Sequence, residues 1–156
     1  GSYKAALKGR DMFLGLSVGG ILNSADLATM SQKAIVFALA NPDPEVDPAE
    51  RTPNIAVMAT GSSRYLNQIN NALAFPGIFR GAIEAGVQSI TDEMCIEAAK
   101  AIAALISKDQ LDADYIIPTV LEPVSKSDKR SRVALAVASA VTKFAAEKGL
   151  ARRNVK

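Results

Sequence analysis

Residues 67–71 bring four side-chain amides together within five positions, in the order Asn-Gln-Ile-Asn-Asn. Amides donate and accept hydrogen bonds without changing charge, so this spacing suits a site for a polar, oxygen-rich ligand with an uncharged ring. An apolar segment follows directly, in which Gly77 and Gly81 leave room for another backbone or for a ligand. A single Asn here would more commonly be a turn or N-cap residue. Because a helix start needs only one or two such residues, the cluster as a whole favours a binding site.

Three further small or polar positions follow apolar segments that we predict to be strands. The segments are residues 12–16, 35–40 and 55–60, and the first is expected to be buried. Ser17, Asn41 and Gly61 come directly after them. In open α/β sheets the ligand binds beyond the carboxyl ends of the strands, so we expect these residues and the amide cluster to meet at one rim. Small polar residues also simply end strands well, which for Ser17 is an equally good explanation, whereas Asn41 favours the site.

Composition excludes several classes of function. The 156 residues fit one domain, and 18 basic against 16 acidic residues give a net charge of +2, too balanced to indicate nucleic acid or an anionic membrane as partner. No apolar run reaches the roughly 18 residues of a membrane span. The sequence has no His, which excludes a Ser-His-Asp triad, a Cys-His pair and a His-ligated metal within this chain. Acid–base chemistry would fall to Asp, Glu, Lys or Tyr.

The single cysteine, Cys95, excludes an internal disulfide and fits a reducing compartment. It lies among apolar residues of a predicted helix, and we expect it to be a buried small hydrophobe rather than a nucleophile. The chain does not begin with Met, so we expect its polypeptide to start further upstream.

Helical patterns surround and follow the three strands. A capped helix is predicted from Asn23 or Ser24 to about residue 32, and the Pro- and acid-rich residues 41–53 are predicted to form a surface connection. The second half predicts helices over residues 70–85, bent or interrupted at Pro76, over 91–108, and over 132–148.

Strands alternating with helices predict an α/β fold with a Rossmann-like parallel sheet. No G-x-G-x-x-G motif follows any of the strands, and the pattern starts part-way through. We therefore expect only the second half of a dinucleotide-binding domain, followed by C-terminal helices. The strand and helix half with the site loops is assigned to residues 1–90 and the C-terminal helices to residues 91–156.

Several motifs resemble the NAD(P)-binding domain of bacterial malic enzymes. They are Phe-Ala-Leu-Ala-Asn-Pro-Asp-Pro-Glu at 37–45, Ala-Thr-Gly at 59–61 and the amide-rich stretch 67–81, together with 13–17, 91–94 and 114–118. The resemblance covers nearly the whole chain, and the amide-rich stretch is specific. It identifies residues 1–156 as a partial NAD(P)-binding domain of this family.

The resemblance implies oxidative decarboxylation of L-malate to pyruvate and CO2, with NAD or NADP and with Mg2+ or Mn2+. In the family, the Asn of the Ala-Asn-Pro motif and the Asn-Asn pair contact cofactor and substrate. The matching positions in this sequence are Asn41, Asn70 and Asn71. Hydride leaves C2 of malate, and the metal stabilises the enolate formed as CO2 departs. The amides would orient the malate carboxylate against the nicotinamide. We expect a cytoplasmic protein and leave the choice between NAD and NADP open.

The family's catalytic Tyr and Lys, its metal-binding carboxylates and its Gly-rich phosphate loop lie upstream of the segment that this chain resembles. No catalytic residue and no metal ligand is therefore assigned here, and the isolated chain is expected to be inactive. Asp43 and Glu45 are interpreted as loop and capping residues. A bare sheet edge would invite association, so we expect either a homo-oligomer or the remainder of a parent polypeptide as partner.

One loop departs from the family pattern. Where bacterial relatives usually carry Gly-Arg-Ser-Asp-Tyr-Pro-Asn-Gln, residues 61–68 read Gly-Ser-Ser-Arg-Tyr-Leu-Asn-Gln. The change favours an alternative hypothesis, a non-catalytic module derived from this domain that binds a nucleotide or a protein partner. Retention of Asn41, Asn70 and Asn71 favours the enzyme. Another dehydrogenase half-domain, such as that of the amino-acid dehydrogenases, fits the amide-rich motif less well.

Overall fold

The computed structural model describes residues 2–153; residue 1 and residues 154–156, which the expected domain included, lie outside the described residues. The chain divides into two compact units. The first comprises the chain up to Asn70 together with Leu111–Ile116, and the second comprises Asn71–Gln110 and the chain from Ile117 onward. The assignment of separate halves to 1–90 and 91–156 stays a prediction.

The first unit is built on a three-stranded parallel sheet, as predicted. Its strands are β1 (Met12–Gly15), β2 (Ala34–Ala38) and β3 (Ile55–Thr60), in the order β1-β2-β3. The short helix α1 (Tyr3–Leu7) precedes β1, helix α2 (Ser24–Leu27) lies between β1 and β2, and a 3-10 turn at Pro48–Glu50 lies between β2 and β3. Gly15 is in register with Ala38, and Ala38 with Thr60, so the three strands end side by side.

Strand β2 supplies the centre of this unit's core. Ala34, Val36 and Ala38 are fully buried, and Met58 of β3 packs in the same cluster. The expectation that residues 12–16 are buried is wrong for most of them, because β1 is an edge strand. Leu14 is 56% exposed.

Helix α2 is shorter than predicted. Asn23 and Asp26 form the expected capping box, but the helix ends at Leu27 instead of near residue 32. The side-chain amide of Asn54 donates to the carbonyls of Leu27 and Met30, at 3.0 and 3.2 Å, and so satisfies carbonyls that a longer helix would use itself. The prediction that residues 41–53 form a surface connection is also wrong for residues 44–46, which are buried.

The second unit is a helical assembly. A 3-10 turn at Asn71–Leu73 precedes α3 (Phe75–Ala85), α4 (Asp92–Ala103) and α5 (Arg132–Glu147), and α5 packs against both of the others. Pro76 lies in the first turn of α3, where its missing N–H is not needed, so it begins this helix and does not interrupt it. Among residues 2–153, no helix combines the length and apolarity needed to cross a bilayer.

Glycine lets α3 approach α5 closely. A Cβ on Gly77 would lie 2.5 Å from the Cβ of Val137, and one on Gly81 would lie 2.6 Å from the carbonyl oxygen of Ala138. The hydroxyl of Thr142 donates to the Gly81 carbonyl at 3.2 Å. The space that these glycines leave is therefore filled by another backbone, one of the two possibilities that the sequence offered.

The predicted burial of Cys95 is wrong, because its side chain is exposed. Helix α4 buries Met94, Ala98 and Ile102, which recur at intervals of four residues. Cys95 comes directly after Met94, and successive side chains on a helix point about 100° apart, so Cys95 lies outside this buried stripe.

Candidate functional site

Three of the five predicted site residues leave the sheet at its carboxyl end. Ser17 follows β1, Asn41 follows β2 and Gly61 follows β3 directly. Ser17 and Asn41 are exposed, whereas Gly61 is buried. The aligned strand ends therefore bring these positions to one edge of the first unit, which is where a parallel α/β sheet binds its ligand.

The loop after β3 folds back onto the strand end and carries Asn70 with it. The side-chain amide of Asn70 donates to the carbonyl of Gly61 at 3.0 Å, and the backbone N–H of Ile69 donates to the carbonyl of Thr60 at 2.8 Å. A Cβ on Gly61 would lie 3.0 Å from the carbonyl oxygen of Leu39, at the end of β2. Glycine thus lets the loops after β2 and β3 come together, and Asn70 holds the second of them.

Asn67 has a structural task within the amide cluster. It is 6% exposed and adopts a φ of 53°, a left-handed conformation that Asn tolerates better than most residues. Its Nδ2 donates to the carbonyls of Met58 and Ala113, at 3.0 and 2.8 Å, and its Oδ1 accepts from the N–H of Ile116 at 2.9 Å. These bonds fasten residues 111–116 to the sheet, so Asn67 is occupied by the fold.

Asn71 begins the second unit and is the first residue of the 3-10 turn that precedes α3. Its side chain is exposed, and its carbonyl accepts from the N–H of Ala74 at 3.0 Å. Its participation in a site with Asn41 stays a prediction.

Glu45 is the residue whose importance sequence reasoning missed. The sequence predicts a loop or capping residue here, and the structure shows in addition that its side chain is 0% exposed at the end of the sheet. Oε1 accepts from the N–H of Ser17 at 2.8 Å and from its hydroxyl at 3.1 Å, and Oε2 accepts from the N–H of Ala40 at 3.0 Å. One signal was present in the sequence: Gly15 interrupts an apolar strand, and a Cβ there would lie 2.5 Å from this carboxyl group.

Arg64 holds residues 61–66, the loop whose sequence differs from the family pattern. The Arg64 guanidinium donates to the carbonyl of Pro42 at 3.0 Å and to the carboxylate of Asp43 at 2.7 Å, and it lies 5.6 Å from the ring centroid of Tyr65. The hydrogen bond to Asp43 raises the pKa of Arg64 above its usual value, so the side chain stays charged. Arg64 therefore ties residues 61–66 to the turn that carries Asn41.

No group of three or more His, Cys, Asp or Glu side chains within residues 2–153 is placed to hold a metal ion. Besides the charged Arg64, the donors at the carboxyl end of the sheet are hydroxyl, amide and backbone groups. Such uncharged donors and acceptors fit the carboxamide of a nicotinamide ring and the carboxylates of a small acid.

A parallel sheet flanked by helices, with small and amide residues at its carboxyl end, defines a Rossmann-like α/β nucleotide-binding domain. The family described as malic enzyme, NAD binding domain, matches residues 11–146. The chain belongs to this family, which confirms the resemblance of its motifs.

Similarity to individual proteins supports the same family. The chain is 46% identical to the NAD-dependent malic enzyme of Geobacillus stearothermophilus over 154 residues, which are 99% of this chain and 30% of the relative. It is 40% identical to the NADP-dependent malic enzyme of Rhizobium meliloti in an alignment of 166 positions that covers 96% of this chain and 21% of the relative. The crystal structure of malic enzyme from Pyrococcus horikoshii OT3 superposes with a TM-score of 0.85 at 40% identity, covering 100% of this chain and 34% of that one. The chain thus spans about a third or less of the length of these proteins.

Proposed function

We propose that this chain supplies the carboxyl-end rim of the NAD(P) site in a malic enzyme, which oxidises and decarboxylates L-malate to pyruvate and CO2. One observation carries the proposal. In a chain that belongs to the NAD-binding domain family, the register of Gly15, Ala38 and Thr60 aligns the strand ends from which Ser17, Asn41 and Gly61 emerge. Those positions coincide with the ligand-binding edge of parallel α/β sheets.

Each residue has a proposed role that follows from its chemistry. The amides of Asn41 and Asn70 hold the malate carboxylate and the nicotinamide carboxamide, so that C2 of malate faces the ring. Gly61 and Ser17 shape the rim, because glycine lets the loops after β2 and β3 approach each other and the Ser17 hydroxyl donates to Glu45. NAD or NADP, when bound, would supply the hydride acceptor, and Mg2+ or Mn2+ would supply Lewis-acid chemistry. The ligands of that metal lie outside this chain.

The isolated chain is inactive in this proposal, because the catalytic Tyr and Lys and the phosphate loop of the family belong to a segment that it does not match. The remainder of a parent polypeptide or a second copy would complete the site, in the cytoplasm. The chain spans 30% of the Geobacillus relative, which leaves room for those groups elsewhere in such a protein.

The test is a hybrid enzyme, in which this chain replaces the matched 154-residue segment of the Geobacillus enzyme. Malate-dependent reduction of NAD is measured at saturating Mn2+ for the hybrid and for the isolated chain. We expect turnover by the hybrid within about tenfold of the Geobacillus enzyme and none by the isolated chain. A folded hybrid without turnover would refute the proposal, provided that the Geobacillus enzyme is active in the same assay.

The loop at residues 61–66 supports a second candidate, a non-catalytic module that binds a nucleotide or a protein partner. Arg64 draws this loop onto Pro42 and Asp43, directly beside Asn41. If that contact closes the site, the hybrid binds NADH but does not turn over, and Arg64→Ser restores turnover. Full turnover by the unaltered hybrid rejects this candidate.

A further inference from the structure

The buried carboxylate of Glu45 has an arrangement of hydrogen bonds that only a carboxylate can satisfy. Both of its oxygens act as acceptors, Oε1 for the N–H and hydroxyl of Ser17 and Oε2 for the N–H of Ala40. A glutamine has one acceptor oxygen, and its NH2 group would face an N–H donor on one side or the other. This position therefore requires a side chain with two acceptor oxygens. Glu45 supplies them while 0% exposed to solvent, where β1 and β2 end.

The backbone on either side of Glu45 reinforces the same connection. The N–H of Gly20 donates to the Pro44 carbonyl at 2.9 Å, and the N–H of Leu22 donates to the Glu45 carbonyl, also at 2.9 Å. A Cβ on Gly19 would lie 2.7 Å from the carbonyl oxygen of Asp43. The loop after β1 is thus fitted closely against residues 43–45, and the Glu45 side chain continues past it to the end of β2.

Asn41 lies inside the small loop that Glu45 closes. The bond from the Ala40 N–H to the Glu45 side chain joins the two ends of residues 40–45 at 3.0 Å. Pro42 and Pro44 restrict the backbone within this loop. Once its ends are joined, the direction in which the exposed Asn41 side chain leaves the loop depends on Glu45.

We propose that Glu45 is a positioning residue for the malic enzyme reaction: its carboxylate fixes the backbone at Ser17 and Ala40 and thereby orients Asn41 towards the ligand. This inference rests on the proposed function of the rim. Glu45 itself touches neither substrate nor cofactor. Its effect on catalysis passes through Asn41, and that route separates it from a residue that only stabilises the fold.

The first measurement tests the clamp in the full 156-residue chain by amide hydrogen exchange. In Glu45→Gln we expect the N–H groups of Ser17 and Ala40 to exchange at least about tenfold faster, since one of the two acceptors is lost. Glu50→Gln is the matched control, because Glu50 accepts from the N–H of Ser24 at 2.6 Å and has no bond to the strand ends. Unchanged exchange at both Ser17 and Ala40 would overturn the clamp.

The second measurement is kinetic and uses the hybrid enzyme, with Glu45→Gln, Asn41→Ala and the double variant. At a temperature where all are folded, we expect Glu45→Gln to lower kcat/KM for malate by about tenfold or more, and the double variant to be no worse than Asn41→Ala alone. Effects that multiply in the double variant would show that Glu45 does not act through Asn41. Should Glu45→Gln fail to fold, Glu45→Asp keeps the charge but is one methylene shorter; a full kcat/KM in that variant overturns the proposal.

The two proposals fail in different ways. A folded hybrid that never turns over malate contradicts the proposed function and removes the role of Glu45 with it. An active hybrid in which Glu45→Gln and Glu50→Gln have the same kcat/KM contradicts only the role of Glu45.

Discussion

Side chains of one type have different tasks in this molecule. The buried side chain of Asn67 makes hydrogen bonds to three backbone groups. Asn70 donates to the Gly61 carbonyl, whereas Asn41, after β2, is exposed. The sequence predicted the cluster and its neighbourhood, since amides after an apolar strand form a local pattern. It could not separate the structural amide from the exposed ones, because the partners of Asn67 at residues 113 and 116 lie 46 and 49 positions away.

Asn67→Ala is expected to destabilise the first unit by about 2–3 kcal/mol, because it leaves the buried Met58 carbonyl and the part-buried Ala113 carbonyl and Ile116 N–H without the partner they have here. Urea unfolding followed by circular dichroism measures this loss. Asn71→Ala is the matched control: its side chain is exposed, so its free energy of unfolding should change by less than about 0.5 kcal/mol. Equal losses in the two variants would contradict the structural role of Asn67.

Glu45 shows the same limit of sequence reasoning. A carboxylate in a Pro- and acid-rich segment is ordinarily solvated, and Gly15 alone does not tell from the sequence which side chain fills the space beside it. Only the three-dimensional placement of Gly15 opposite the carboxyl group shows that a side chain is accommodated there.

Asp128 gives a residue-scale test of the electrostatics. Its hydrogen bonds from Arg130 lower the pKa of Asp128 to about 2. Because the pKa is lowered, this pair stabilises the local loop at every pH above the ordinary pKa of Asp. The contribution is lost as the pH falls through about 2. Carboxyl 13C shifts recorded against pH should give the low value and, in Arg130→Gln, a return towards about 3.9. An unchanged titration in Arg130→Gln would contradict the pairing.

At the scale of elements, the best predictions came from patterns that are complete within a few residues. Strand β3 is Ile55–Thr60, as its unbroken apolar run predicted, and α5 is Arg132–Glu147 with Ser131 as its N-cap. Errors arose where distant residues decide the boundary. Asn54 takes the carbonyls that would have extended α2, and the edge position of β1 exposes residues that its apolar pattern predicted to be buried.

The contact between α3 and α5 is testable through its glycines. Gly81→Ala should destabilise the second unit by about 1–3 kcal/mol despite the better helix propensity of Ala, because the new methyl group meets the Ala138 carbonyl and the side chain of Val141. Thermal unfolding measures the loss. Ser139→Ala, on the exposed side of α5, should leave the melting temperature nearly unchanged. A more stable Gly81→Ala would show that the helices move apart freely.

At the scale of the whole molecule, the chain carries an apolar sheet edge that nothing in residues 2–153 pairs with. Strand β1 bonds only to β2, and residues near this edge are exposed, with Leu14 at 56% and Leu16 at 78%. An exposed strand edge with apolar side chains is a surface for pairing with another chain or segment.

The isolated chain should therefore associate as its concentration rises. Leu14→Lys places a charge on the edge strand and is expected to shift the sedimentation profile towards monomer, while Lys8→Ala, an exposed change outside the sheet, should not. A wild-type chain that stays monomeric up to the solubility limit would contradict an associating edge.

Asn41, in the loop that follows β2, is proposed to contact the reactants. The most direct test is kcat/KM for malate in the hybrid enzyme carrying Asn41→Ala, compared with Gln88→Ala, which removes an exposed amide from the second unit. We predict a fall of roughly 100-fold for Asn41→Ala, in line with the loss of a positioning hydrogen bond in an active site, and no change for Gln88→Ala. Equal values of kcat/KM in the two variants, with both proteins folded, would contradict the assignment of the rim as the site.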